Sequence, residues 1–99
     1  MREGVFVHSN NLYFKFIDRK DDFISLFGFI VPAKVVKTAV LRHFIKRKMT
    51  AVVERVLADI KTGFSCLVFV KKNLLYFSRF EIESEILELL KKAKMLNGK

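Results

Sequence analysis

The sequence predicts an α+β fold: duplicated β-hairpin–helix units in the order ββα–αα–ββα, with a four-stranded antiparallel sheet carrying helices mainly on one face. Three observations predict it. Short segments alternate apolar and polar residues with period two, as half-buried strands do. A ten-residue string recurs, with VFVHSNNLYF at 5–14 lining up with VFVKKNLLYF at 68–77 and matching at seven of ten positions. Between the copies lies a basic segment with helical spacing, KVVKTAVLRHFIKRK at 34–48. Ninety-nine residues, 52% of them hydrophobic and eleven of them Phe, fill the core of one domain spanning 1–99.

The first hairpin is expected from Val5-Phe6-Val7 and Leu12-Tyr13-Phe14-Lys15-Phe16. Leu12, Phe14 and Phe16 point one way, Tyr13 and Lys15 the other. Asn10-Asn11 supplies residues that tolerate the positive φ of a tight primed turn. Asp18-Arg19-Lys20-Asp21-Asp22 is a charged turn, and Asp21 or Asp22 is placed to cap a short apolar helix over 23–29. The second copy repeats the pattern. Strands over 64–70 and 74–80 join through Lys71-Lys72-Asn73, and a helix over 82–96 buries Ile82, Ile86, Leu89, Leu90 and Ala93. Glu81, Glu83, Glu85 and Glu88 crowd that helix's start and Lys91, Lys92 and Lys94 its end, which complements the helix dipole. Asn97-Gly98 ends it. The internal repeat therefore covers about 5–27 and 68–90.

The basic segment reads as two helices, 33–47 and 50–61. Pro32 suits the first turn, Val36, Val40 and Phe44 recur at four-residue spacing, and Arg47 and Lys48 break that stripe. Thr50 caps the second helix, and Gly63 closes it as a left-handed end residue.

Charge locates the candidate function. The chain has nineteen Lys plus Arg against ten Asp plus Glu, a net charge of +9. Residues 1–33 hold four cations and four acids, 34–63 hold eight and two, and 64–99 hold seven and four. Lys34, Lys37, Arg42, Lys46, Arg47 and Lys48 stand together with no acid between them, and Lys71 and Lys72 extend the patch. Such a face lies along phosphates and releases counterions, so it points to nucleic acid bound without sequence preference. No Asn or Gln lies on the segment to read adenine, and nothing in the sequence separates DNA from RNA. The alternative is an oligomeric interaction protein with no nucleic-acid partner, whose basic segment keeps it soluble. A third reading rests the segment and Phe23, Ile24, Leu26, Phe27 and Phe29 on anionic lipid.

Enzymatic chemistry is not expected. His8 and His43 have no Cys or carboxylate at metal-ligand spacing, the glycines at 4, 28, 63 and 98 are isolated, and the five serines lack a nucleophile elbow. Asp18, Asp21 and Asp22 could hold a divalent ion for phosphodiester chemistry, but a solvated turn neutralised by Arg19 and Lys20 is the reading taken. No cofactor or metal is expected. Cys66, alone, is read as a small core residue. The apolar surplus and the hairpin edges predict a homodimer.

The N-terminus turns polar after three apolar residues, unlike a secretory signal. The apolar stretch 23–36, interrupted by Ser25, Pro32 and Lys34, falls short of the roughly 20 residues that span a bilayer. A cytoplasmic location is expected. The chain has no Gln or Trp and 29% charged residues, a bias like that of hyperthermophile proteins. No motif carries a resemblance to a known family, which leaves the function otherwise unassigned.

Overall fold

A computed structural model describes residues 5–97, Val5 through its backbone alone. Its order is β1 (Val5–His8), β2 (Leu12–Asp18), β3 (Leu26–Ile30), α1 (Ala39–Val56), a 3-10 turn (Leu57–Asp59), β4 (Phe64–Val70) and α2 (Arg79–Lys92). The four strands form one sheet in the order β1-β2-β4-β3. The α+β class and the number of strands are as expected, but β3 stands in place of the strand expected over 74–80, and the pairing is mixed, correcting the all-antiparallel sheet. β1 runs antiparallel to β2 and β2 to β4, but β3 lies parallel to β4. α1 is the crossover that parallel neighbours require.

Alternation in β2 is real. Leu12, Phe14 and Phe16 are buried, as are Cys66, Val68 and Val70 opposite them on β4. These six residues meet Ile45, Met49, Val52, Val53 and Val56 of α1 and Ile82, Ile86, Leu89 and Leu90 of α2. Fully burying each such side chain contributes about 1.5–3 kcal/mol. Burial pushes the Cys66 thiol up to about 12, so it stays an inert core residue.

The second copy of the repeat does not fold like the first, and the duplicated unit is corrected. Its leading half is a strand in both cases, β1 and β4. Its trailing half, Leu74 to Phe77, is a turn, closed by Phe77 N–H donating to Leu74 O at 3.0 Å and by Asn73 Oδ1 accepting from the Leu75 amide at 2.9 Å. Ser78 then starts α2 with a reciprocal capping box, accepting from the Glu81 amide at 3.1 Å while Glu81 accepts from the Ser78 amide at 2.8 Å. The signal Ser-x-x-Glu outweighs the strand pattern before it. α2 therefore begins at Arg79, earlier than expected, and ends at Lys92. Lys94, at φ 60°, turns the chain away, while Gly98 lies outside the described residues.

Further expectations are corrected. Residues 26–30 are a strand, not part of a helix over 23–29, because an uninterrupted apolar run fits a strand as well as a helix. Residues 39–56 are one helix, not two. Its buried stripe is Ile45, Met49, Val52, Val53 and Val56, which passes through Lys48 without a break. The assumed stripe lay on the wrong side: Val40 is 74% and Phe44 50% exposed. Pro32 heads a turn, not a helix, its carbonyl accepting from the amides of Val35 and Val36 at 2.9 and 3.1 Å. Thr50 is mid-helix and bonds back to Lys46 O at 2.9 Å. Neither Asn10 nor Asn11 has positive φ; Asn11 instead binds Glu85 of α2.

Candidate nucleic-acid interface

β3 and β4 are parallel, so both finish at one end of the sheet, and the segments that follow them start there. Lys34 and Lys37 leave β3, and Lys71 and Lys72 leave β4. Topology thus gathers at one sheet end four cations that the sequence separates by more than thirty residues. All four are exposed.

From that end α1 runs back under the sheet, and its six-cation segment divides by role. Lys46 and Arg47 are exposed, with no carboxylate within ion-pair reach among the described residues. Arg42 is folded back: its Nη1 donates to Val36 O at 3.0 Å and Lys37 O at 2.9 Å, tying the preceding turn to the helix. Lys48 is half-buried, its Nζ donating to Leu75 O at 3.2 Å and Phe77 O at 2.9 Å. The same ammonium sits 5.1 Å from the Phe44 ring centroid. Lys34, Lys37, Lys46, Arg47, Lys71 and Lys72 are therefore exposed, whereas Arg42 and Lys48 hold backbone carbonyls of the scaffold.

The rest of the site lies on the sheet face turned away from the helices, which charge counting alone missed. Phe6, His8, Tyr13 and Phe69 form a continuous aromatic row, with Phe6 and Tyr13 stacked at 5.3 Å, His8 and Tyr13 at 4.7 Å and Tyr13 and Phe69 at 5.1 Å. Lys15 Nζ stands 5.6 Å from the Phe6 centroid. Beside the row, Lys15, Ile17, Leu26, Gly28 and Leu67 line a groove of about 300 Å³. Gly28 keeps it open, since a Cβ there would stand 3.0 Å from Leu67 Cδ2. The signal was present in the period-two alternation, which sends Tyr13 and Lys15 to the face opposite Leu12 and Phe14. This face offers rings for stacking, and the basic end beside it offers phosphate contacts.

Among the described residues Asp18, Asp21 and Asp22 do not come together as a cluster of three ligating side chains. Asp21 is taken by Arg19, at 2.9 and 3.0 Å, and that bond holds its carboxyl below the usual range. Asp18 accepts from the Lys20 amide at 2.8 Å. His8 and His43 are exposed. No helix of the described residues is long and apolar enough to cross a membrane.

Comparison with known proteins adds the following. The profile of the family described as Ribonuclease P matches residues 1–94. A "Ribonuclease P protein component" from Synechococcus sp. (strain JA-2-3B'a(2-13)) is 32% identical over 72 residues, which are 73% of this chain and 54% of that protein. One from Microcystis aeruginosa is 30% identical over 74 residues, 75% of this chain and 62% of that one. The chain thus spans less than two thirds of the length of these relatives. The RNase P protein from Thermotoga maritima shares the fold with a TM-score of 0.81 at 24% identity, covering 91% of this chain and 84% of that one. The Staphylococcus aureus RNase P protein gives 0.79 at 22% identity, with 95% and 84% covered.

Proposed function

This chain belongs to the Ribonuclease P family, and from that premise we propose that it is the protein component of such an assembly and binds RNA. Membership corrects the sequence reading that left the function unassigned, and with it the alternative of an interaction protein without a nucleic-acid partner. The RNA partners proposed are the assembly's own RNA and precursor transfer RNA, met in the cytoplasm. The observation that carries this reading is the convergence of Lys34, Lys37, Lys71 and Lys72 at one sheet end, continued along α1 by Lys46 and Arg47.

The division of labour follows from physics. Lysines gathered by topology contact phosphates, which positions RNA without reading its sequence. The row Phe6-His8-Tyr13-Phe69 accepts unpaired bases, because every base has a face to stack. No cleavage step is assigned to the chain's own side chains; its work is to hold and orient RNA. A homodimer remains part of the proposal, favoured by the exposed apolar residues of the same sheet face.

Filter binding of a precursor transfer RNA transcript across a salt series tests it. Affinity is expected to fall by roughly 0.7–0.9 log units per phosphate contact for each tenfold rise in salt. The triple variant Lys34→Glu, Lys37→Glu, Lys46→Glu is expected to lose binding while melting at the wild-type temperature, since all three side chains are exposed. Unaltered affinity in a folded triple variant overturns the reading.

A further inference from the structure

β3 ends the sheet on one side, and among the described residues Leu26–Ile30 make no hydrogen bond except to β4. A strand residue turns its N–H and C=O to the same side, so every second residue of β3 offers both groups to water. The opposite edge, β1, is guarded by Lys92, whose Nζ donates to His8 O at 2.9 Å. β3 has no such guard. From Phe23 to Ala33 eleven residues run without a charge, and Phe23, Ile24 and Leu26 are 75%, 53% and 60% exposed. The edge is also held rigid. Ser25, buried, accepts from the Phe64 amide at 3.0 Å and donates to Lys61 O at 2.7 Å, while Arg19 donates to Phe23 O and Ile24 O. A strand already ordered gives up little entropy on pairing.

The sequence of β3 matches itself. Leu26-Phe27-Gly28-Phe29-Ile30 reads nearly the same in both directions about Gly28. An antiparallel copy, turned by a twofold axis at Gly28, sets Leu26 against the partner's Ile30 and Phe27 against the partner's Phe29, and the reverse pairs repeat the match. A closed twofold interface requires such self-complementarity. Gly28 leaves no side chain at the axis. On the helix side, Ile24, Phe27, Phe29, Val53, Glu54 and Leu57 line a cleft of about 220 Å³ beside the strand, and the pairing carries the partner's Phe29 to it. Charge favours the same place. Glu54 is the only acid on α1, so two chains at +9 each meet where a carboxylate offsets the field, away from the basic sheet end. A strand of unrelated sequence satisfies the open N–H and C=O groups but not the side-chain pairs.

We propose that two copies of this chain join edge to edge through β3, antiparallel about a twofold axis at Gly28, so that two four-stranded sheets become one. The proposal rests on the homodimer reading above and adds which strand makes the contact, in which direction and in which register.

Disulfide trapping of the full chain tests the register. Residues paired across an antiparallel ladder stand about 4.5–5.5 Å apart at Cα, within the range of about 4.4–6.8 Å that a disulfide spans. The two copies of residue 26, by contrast, stand about 13 Å apart along the ladder, four residues at about 3.3 Å each. Leu26→Cys and Ile30→Cys are made separately, with the buried Cys66 kept and the wild type as the blank. Mixed in a glutathione buffer at micromolar concentration, the two variants are expected to give about tenfold more disulfide-linked dimer than either alone. Gly28→Cys, whose Cβ meets the flexible end of Leu67 at 3.0 Å, keeps both apolar pairs and is expected to cross-link by itself. Where sedimentation shows that Leu26→Cys or Ile30→Cys no longer dimerises, Gly28→Cys decides alone. Phe6→Cys, on the β1 edge, is expected to cross-link with none of them. A dimer that traps as readily through Leu26→Cys alone as through the mixture, that traps through Phe6→Cys, or that leaves Gly28→Cys reduced, overturns this interface while the homodimer stands. A wild-type chain that sediments as a monomer at low and high salt overturns the homodimer, and this interface with it.

Discussion

Glu85 shows what a single residue does here that no local pattern announces. In the sequence it is one of four acids near the start of a helix, where it complements the dipole. In the fold it reaches across to the β1–β2 turn. Its carboxylate accepts from the Asn11 amide at 2.7 Å, from Asn11 Nδ2 at 2.9 Å and from the Ser9 hydroxyl. Nearby, Lys92 Nζ donates to His8 O at 2.9 Å. Partial burial pushes the Glu85 carboxyl up, but the bonds from Ser9 and Asn11 outweigh it and hold the group below the ordinary glutamate range. A carboxylate whose folded pKa is depressed contributes stability above its unfolded value, near 4.3, and loses it as pH falls through the folded value. Glu85→Gln replaces one acceptor oxygen with a donor facing other donors. It is expected to lose about 1–2 kcal/mol at pH 7, a few degrees of melting temperature, moderated by partial exposure. Wild-type and variant melting curves are expected to converge as pH falls through the folded value of Glu85. A gap that persists unchanged at pH 3 contradicts the account. Nothing local could have shown this contact, because its partners lie more than seventy residues apart.

At the scale of elements, local chemistry was legible and pairing was not. The first hairpin, the apolar face of α2 and the helical nature of the basic segment could all be read from period and capping. β3 could not, because Leu26-Phe27-Gly28-Phe29-Ile30 lacks any period, and its strand character comes from lying against β4. The repeat misled for the same reason: identical strings pair only where an edge is free, and the segment after β4 had Ser78 ready to start a helix. The basic patch was half legible. Its helix residues were visible in a row, whereas the meeting of Lys34 and Lys37 with Lys71 and Lys72 depends on a parallel pairing that sequence does not display. The loop before β3 is fixed in the same non-local way. Arg19 donates to Phe64 O at 2.8 Å, Ser65 Oγ at 3.1 Å, Phe23 O at 3.2 Å and Ile24 O at 3.1 Å, besides binding Asp21. Gly63, expected to close a helix, sits at φ 92° where a Cβ would stand 2.6 Å from Asp21 O. Gly63→Ala is therefore expected to cost about 1–3 kcal/mol by chemical denaturation, through both the backbone conformation and the displaced loop. A variant within 0.5 kcal/mol of wild type, about the scatter of neutral surface changes, contradicts this packing.

Over the whole molecule, charge and apolar surface are segregated, and they respond to salt in opposite directions. The cations crowd one sheet end and α1, while the open sheet face exposes Phe6, Ile17, Leu26, Ile30 and Leu67. β3 is an edge strand without a charged residue, LFGFI, and so lacks the usual guard against pairing with another chain. Two copies at +9 each repel one another, and that repulsion is screened beyond about 10 Å at 0.1 M salt. Self-association through the apolar face is thus expected to strengthen as salt rises, the reverse of RNA binding, whose counterion release weakens it. Sedimentation equilibrium at micromolar concentration is expected to show more dimer at 0.5 M than at 0.05 M salt. Leu26→Lys, at a side chain 60% exposed on that edge, is expected to return the chain to monomer without lowering its melting temperature. If the dimer instead dissolves as salt rises, charged contacts hold it and the apolar face is not the interface. A monomer at both concentrations removes the homodimer and leaves the open face to RNA alone.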